Sequence, residues 1–393
     1  MNLVLLSPHF PPNFYNFAVG AQSVGINVLG IGDAPMEILR QELRNALSEY
    51  YLVDDLHNYD AVVRACAYFI FRHGRIDRLE SHNEHWLETD ARLRRDFNVP
   101  GMTLNETLRV KRKSVMKQIF TEAGIPVAQG RVVTTLEGAR AFVGEVGYPV
   151  VLKPNVGVGA SGTFKINTPV ELEQFFAQEF LGDYLMEEFI SGQLHSFDGL
   201  TDQTGRIVFC TAHFYQPGIM EVVNEDLDVF ACSLREIPPD LEAAGRKAVV
   251  AFDVRERFFH IEFFHATKAC AGREWVALEM NVRPPGGPMM DVFNFANDIN
   301  LYEQWANILA FNVFTVPYSR PYHCAFVGRK QYRGHKHTLE EILAKYGHLL
   351  VHHEPIAPVL ARAMGNYAYL LRSPDLPELR EAIDFILETE AGR

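Results

Sequence analysis

Two short stretches of this chain carry carboxylates among apolar residues, and both could hold a cation. In Glu279-Met280-Asn281-Val282-Arg283, polar and apolar side chains alternate. On an extended strand Glu279, Asn281 and Arg283 therefore share one face. His260 and Glu262 share a face in the same way, flanked by Phe258, Phe259, Phe263 and Phe264. Carboxylates among so many rings are costly unless something cationic neutralises them. Glu262, Glu279 and Asn281 offer only hard oxygens, which suits magnesium better than zinc. The alternative is a buried network of these glutamates with Arg255, Arg257 and Arg283. Taken alone, the two readings weigh equally.

Upstream, Gly157-Val158-Gly159-Ala160-Ser161-Gly162 matches G-x-G-x-x-G. A dinucleotide fingerprint must open a helix, whereas Thr163-Phe164-Lys165-Ile166 reads as a strand. A Walker A loop needs Lys-Ser or Lys-Thr after its last glycine, and a protein kinase needs H-R-D and D-F-G; the chain has none of these. A glycine-rich hairpin remains, with Gly157, Gly159, Ser161 and Gly162 able to bring backbone N–H groups over phosphates. Lys153, at the end of the preceding strand, is expected beside the same phosphates. With a phosphate loop upstream, the metal reading of the acidic strands is preferred.

These residues need elements to position them. Apolar runs at 3–6, 28–31 and 61–71 alternate with charged, amphipathic stretches at 36–50 and 77–97, which predicts an open α/β layer around a mostly parallel sheet. A basic helix is expected over 108–123, stopped by Gly124 and Pro126. Strands at 150–152 and 164–166, a helix at 170–180 and a strand at 184–187 follow. Strands dominate 195–211, and a helix spans 238–252. The acidic strands, 258–264 and 275–281, are joined by a turn at Ala271-Gly272, and the last helix covers 376–388.

Composition narrows the function. The 393 residues are 48% hydrophobic, enough for two or three domains. A formal net charge of -12 argues against a nucleic-acid partner. Cys66, Cys210, Cys232, Cys270 and Cys324 are scattered, as buried thiols in a reducing compartment are. No apolar run approaches the ~20 residues of a bilayer span, and the first residues read as a buried strand, not a signal peptide. A cytoplasmic location without membrane partners is expected. His335, His337, His348, His352 and His353 fit no zinc spacing, and Trp86 with His82, Glu84 and His85 reads as packing on a helix of the first domain.

In order, these motifs resemble the ATP-grasp superfamily over nearly the whole chain. Lys113 before Gly124-Ile125-Pro126 is similar to that family's first nucleotide lysine, and Pro149-Val150-Val151-Leu152-Lys153-Pro154 with the glycine loop to its second lysine and hairpin. Leu185 to Gly192 resembles the hinge that reads adenine through backbone groups of Glu187 and Ile190, with Glu188 beside them. The resemblance places the metal on Glu262, Glu279 and Asn281, and puts Arg283 where an arginine steadies the transferred group. It implies a mixed α/β and α+β ATP-grasp fold. An N-terminal Rossmann-like domain with an open parallel sheet would span 1–110, a mobile lid subdomain 111–186, and a C-terminal antiparallel-sheet subdomain with an α/β tail 187–393. Three departures stand out: Arg112 replaces an acidic residue, Ser7-Pro8-His9-Phe10-Pro11-Pro12 lacks a glycine fingerprint, and Leu194 stands where a glutamate is common. Ribose contact is accordingly expected of His195.

The resemblance, closest to amino-acid and dipeptide ligases and biotin-carboxylase-like relatives, implies an ADP-forming ligase using ATP and Mg2+ (or Mn2+). A carboxylate becomes an acyl phosphate, with Lys153 and Arg283 in catalytic roles, and an amine attacks it. The implied partners are a small-molecule carboxylate and amine, with a homodimer as the allowed assembly. A biotin-carboxylase-like carboxylase with bicarbonate as the acid, transfer to a thiol, and a non-catalytic nucleotide-binding regulator are the competing readings.

Overall fold

The computed structural model describes residues 1–157, 162–178, 182–267 and 273–390. The first apolar runs pair as parallel strands: β1 (Asn2–Leu6), β2 (Asn27–Gly32), β3 (Glu49–Leu52) and β4 (Arg78–Glu80) lie in the order β3-β2-β1-β4. The chain winds to one side of β1 and returns on the other. Such a reversal leaves a crevice at the carboxyl ends of the two neighbouring strands between which the winding switches, here β1 and β4, beyond Leu6 and Glu80.

Two expectations are corrected here. The run at 61–71 belongs to the helix Tyr59–His73, whose buried Val62, Ala65, Cys66 and Phe69 follow helical spacing. The fourth strand instead sits inside the stretch read as helical. β4 is three residues long and carries Arg78 and Glu80, so it shows no apolar run.

The basic helix is also two helices, Leu104–Lys111 and Lys113–Glu122, broken at Arg112 with φ -99° and ψ 107°. The break makes Lys113 the first residue of a new helix, and its N–H donates to the Asn155 carbonyl at 2.8 Å. Lys113 is thereby tied to the residue after the second lysine's strand.

A second, antiparallel sheet contains β5 (Gly130–Val133), β6 (Val150–Pro154), β7 (Phe164–Ile166) and β8 (Tyr184–Glu188) in the order β5-β8-β6-β7. β8 runs through the boundary expected at 186/187. The third sheet has eight strands: β9 (Gly192–Thr201), β10 (Ile207–Gln216), β11 (Val229–Ser233), β12 (Phe258–Ala266), β13 (Trp275–Asn281), β14 (His323–Arg329), β15 (Leu350–Pro355) and β16 (Tyr367–Ser373). Its order is β13-β12-β9-β10-β11-β14-β16-β15. The expected strand pair is β12 and β13; the turn at Ala271-Gly272 lies outside the described residues.

Alternation along β12 sets what each face does. Phe259, Ile261 and Phe263 point to the side covered by the helices Lys113–Glu122 and Pro239–Ala251. Gly245 allows that close approach, since a Cβ there would stand 2.1 Å from a ring carbon of Phe197. The other face, with Phe258 and Phe264, turns toward the helices Met289–Asn297 and Leu301–Phe311. His260 and Glu262 lie on that second face. Cys66, Cys210, Cys232 and Cys324 are buried free thiols, and Cys270 falls outside the described residues. No helix among the described residues is long and apolar enough to cross a membrane.

The parallel sheet is bolted to the eight-stranded one by charge. Glu80, at the end of β4, sits between Arg94 of its own domain at 2.9 Å and Arg257 at the start of β12 at 2.8 Å. Arg257 also donates to the Val282 carbonyl at 3.0 Å. Asp90 completes the cluster, accepting from the Ser81 hydroxyl at 2.6 Å while its Oδ1 has no partner. Burial, and then Glu80, push the Asp90 carboxyl up to about 7. A carboxyl raised on folding stabilises below its unfolded value of 3.8 and loses that contribution as pH rises through about 7. Asp90→Asn should therefore gain stability relative to the wild type as pH rises from 4 to 8 in a series of thermal melts. A difference that is constant across that range would contradict the assignment.

Candidate active site

A cavity of about 310 Å³ opens between the second sheet and the eight-stranded one. Strand register delivers cations from one wall and carboxylates from the other. On the β6–β8 side, Lys153 Nζ stands 2.6 Å from one oxygen of Glu187, and Lys117 Nζ stands 2.7 Å from the other. Glu187 and Lys153 are buried, and Lys117 is mostly covered. Burial opposes the charge on Glu187, but Lys153 and Lys117 outweigh it and hold the carboxyl below its ordinary value. Lys117 was not singled out from the sequence, yet it lies one helical turn beyond Lys113 on the same face.

Lys113 bridges the two walls. Its Nζ donates to the Gly157 carbonyl at 3.2 Å and lies 3.4 Å from Glu279. On the opposite wall Glu279 faces Glu262 across β13 and β12, and Asn281 faces His260. Asn281 Nδ2 donates to Glu279 at 3.0 Å, which leaves Asn281 Oδ1 without a donor among the described residues. Burial opposes ionisation of Glu279, but Lys113 and then Asn281 bring its carboxyl down to about 2. No three or more His, Cys, Asp or Glu side chains converge as a metal cage among the described residues. Two carboxylates and an amide oxygen beside a phosphate-sized space do fit a hard divalent ion that takes its remaining ligands from phosphate and water.

The hinge segment also lines the cavity, from Glu187 to Gly192. Glu187 is held inside β8 between Gly130 and Val151, and what it offers is its carboxylate. The N–H and C=O of Ile190 make no backbone bond among the described residues. Glu188 is anchored instead of free: it accepts from the Gln129 N–H at 2.7 Å and pairs with Arg273.

His195 is not on the cavity wall. Its ring packs edge-on to Trp275 at 5.0 Å, with Nδ1 beside the Gln193 carbonyl at 3.1 Å. Strand alternation turns Gly192 and Leu194 to the cavity in its place, which argues against the expected ribose contact. A further carboxylate lining the cavity is Glu221, on the helix Ile219–Glu225, a placement that nothing in the sequence around it signals.

Arg283 reaches the crevice of the first domain. Its guanidinium donates twice to Glu84 Oε2, at 3.1 and 2.5 Å, and once to the Pro284 carbonyl. Glu84 follows β4, and its pairing with Arg283, 199 residues away, is invisible to local sequence patterns. The expected helix-packing role goes to Trp86, which joins the first domain's core. Gly162, at φ +73°, is in the left-handed region that favours glycine; Gly159 and Ser161 lie outside the described residues. The C-terminal histidines pair with acidic or tyrosine neighbours, among them His335 with Asp228 and His337 with Glu388.

Residues 112–212 match the family model described as the carbamoyl-phosphate synthase L chain ATP-binding domain. An L-amino acid ligase from Bacillus licheniformis superposes with TM-score 0.74 at 15% identity, covering 100% of this chain and 99% of that one. The chain has the ATP-grasp fold. A second ATP-grasp structure, the biotin carboxylase domain dimer of Hydrogenobacter thermophilus 2-oxoglutarate carboxylase with magnesium ADP and bicarbonate, superposes with TM-score 0.67 at 17% identity over 97% of this chain and 89% of that one. In sequence, an L-arginine-specific L-amino acid ligase from Bacillus subtilis is 24% identical over 273 residues, 66% of this chain and 63% of the relative. The chain thus spans less than two thirds of that curated ATP-grasp relative.

Glu187 is the anion both lysines depend on, so neutralising it leaves two buried ammonium groups facing one another. Removing one partner of such a cluster costs about 3 to 5 kcal/mol. Glu187→Gln should therefore lower the stability of the nucleotide-free protein by that order in urea unfolding, and a loss below about 1 kcal/mol would contradict the pairing.

Proposed function

We propose that this chain is an ADP-forming ligase that activates a carboxylate as an acyl phosphate and couples it to an amine. The observation that carries the reading is one cavity with lysines on one wall and hard-oxygen ligands on the other. That is the charge distribution a triphosphate with a divalent cation requires.

In this reading Lys113 and Lys153 leave their glutamate partners for the phosphates, and the backbone of Ile190 takes the adenine edge. Glu221, and not His195, faces the ribose hydroxyls. Glu262, Glu279 and Asn281 would hold Mg2+ or Mn2+ through their oxygens, and the ion would supply positive charge that lowers the barrier to phosphoryl transfer. Arg283 steadies the transferred phosphoryl group next to the substrate carboxylate, with Glu84 keeping the guanidinium in place from the first domain. The carboxylate oxygen attacks the γ-phosphorus, ADP leaves, and the amine then displaces phosphate from the acyl carbon. Water must be kept out, because it would hydrolyse the acyl phosphate; the hairpin containing Gly157 and Gly162 is positioned to cover the phosphates.

An amino acid as the activated acid is part of the proposal, supported by the two amino acid ligases among the relatives. A cytoplasmic enzyme and a homodimer complete it, the latter on the precedent of the dimeric biotin carboxylase domain.

Pairwise mixtures of the twenty L-amino acids with ATP and Mg2+ should release ADP and phosphate, and hydroxylamine should trap a hydroxamate. AMP and pyrophosphate as products would overturn the mechanism. Glu279→Gln should lower turnover by at least about 100-fold and shift the Mg2+ dependence. Near-normal turnover with an unchanged Mg2+ response would remove Glu279 from the metal site.

A further inference from the structure

On the cavity-side face of the large sheet, a row of polar side chains runs inward from the metal carboxylates. Register fixes it: Glu262 stands opposite Ser196, His260 opposite Asp198, and Ser196 opposite His213, across β12, β9 and β10. His260 Nε2 lies 3.2 Å from Glu262 Oε1, and its Nδ1 lies 2.5 Å from Asp198 Oδ1. The second Asp198 oxygen takes the Ser196 hydroxyl at 2.5 Å and His213 Nδ1 at 3.0 Å. Asp198, Ser196 and His213 are fully buried.

We propose that His260, braced by Asp198, is a positioning residue that holds the Glu262 carboxylate in one orientation for the metal of the nucleotide complex; this rests on the ligase reading above. Three features support it. The row has one open end. His213 stacks on Phe293 at 4.8 Å with its Nε2 unpartnered, so inward it stops, whereas Glu262 lines the cavity. Both ring nitrogens of His260 are used, one on each carboxylate, so the ring occupies Oε1 of Glu262. Oε2 then has no hydrogen bond among the described residues and is left for a cation.

Expense is the third feature. A carboxylate buried as deeply as Asp198 is not needed for stability, because well-packed apolar side chains serve a sheet interior as well or better. Fixing the rotamer of a metal ligand is a use that apolar side chains cannot supply. The carboxylate torsion of a glutamate is broad, and partners that orient metal ligands change metal affinity by roughly 10- to 100-fold when removed.

The test is binding of Mn2+ in the presence of ADP, followed by the electron paramagnetic resonance signal of free Mn2+, in the wild type, Glu279→Gln, His260→Leu, His260→Gln and Asp198→Asn. Metal-free melting is recorded alongside. His260→Leu should weaken Mn2+ binding roughly 10- to 100-fold, with the Mg2+ concentration for half-maximal ATP turnover rising by a similar factor. His260→Gln, whose amide can still donate to Glu262, should recover part of that loss, and Asp198→Asn should fall between. If His260→Leu does not fold, the two milder variants carry the same comparison. Mn2+ affinities within twofold of wild type in every folded His260 and Asp198 variant, with Glu279→Gln impaired, would overturn the positioning role alone. Equal Mn2+ binding by wild type and Glu279→Gln would instead overturn the metal site, and the inference with it.

Discussion

Buried charge must be neutralised, and that constraint organises this molecule. Lys113, Lys153 and Glu187 are buried side chains around one cavity, and Lys117 and Glu279 are partly buried beside them. None could be tolerated alone in such surroundings. The fold answers by making the two walls complementary, so that each cation has a carboxylate from a strand or helix distant in sequence. In the proposed function a triphosphate with its metal ion would bring both signs of charge. Lys113 would gain phosphate oxygens as Glu279 gains the cation, and Lys117 would stay with Glu187 when Lys153 turns to phosphate. A site built this way is stable while empty and has its charges in place before substrate arrives.

The same constraint links the domains. Glu80 with Arg94 and Arg257 fixes the parallel sheet against the start of β12, and Glu84 with Arg283 fixes it against the end of β13. The two pairs lie at the ends of the strands that carry Glu262 and Glu279. A shift of the first domain is therefore felt at the acidic strands, and in the proposed function the crevice at the end of β4 is where a carboxylate would meet the γ-phosphate.

Much of this was legible in the sequence because it is local. Alternation exposed the shared face of Glu279 and Asn281, and the strand pair that carries it formed as expected, with Arg283 two residues beyond the end of β13. Lys153 and the hinge stood out because apolar strands frame them. What stayed hidden was either non-local or masked by composition. β4 is short and charged, so the long apolar run at 61–71 drew the strand assignment that the helix Tyr59–His73 refutes. The break at Arg112 depends on Asn155, which no helical pattern reports. His195 was expected at the ribose by following the neighbour of Leu194, but strand alternation turns adjacent residues to opposite faces. The partners of Glu187 and Arg283, and the Asp198 that braces His260, come from elements tens to hundreds of residues away, and only the folded chain brings them together.

In the proposed function the buried charges serve phosphoryl transfer to a carboxylate oxygen. That oxygen can be followed. With amino acids labelled with ¹⁸O in the carboxyl group, ATP, Mg2+ and an amine acceptor, mass spectrometry of the released phosphate reads its path. The account predicts one labelled oxygen in each phosphate released, carried over when the acyl phosphate breaks at its carbon. Unlabelled phosphate, or label recovered in AMP, would contradict it.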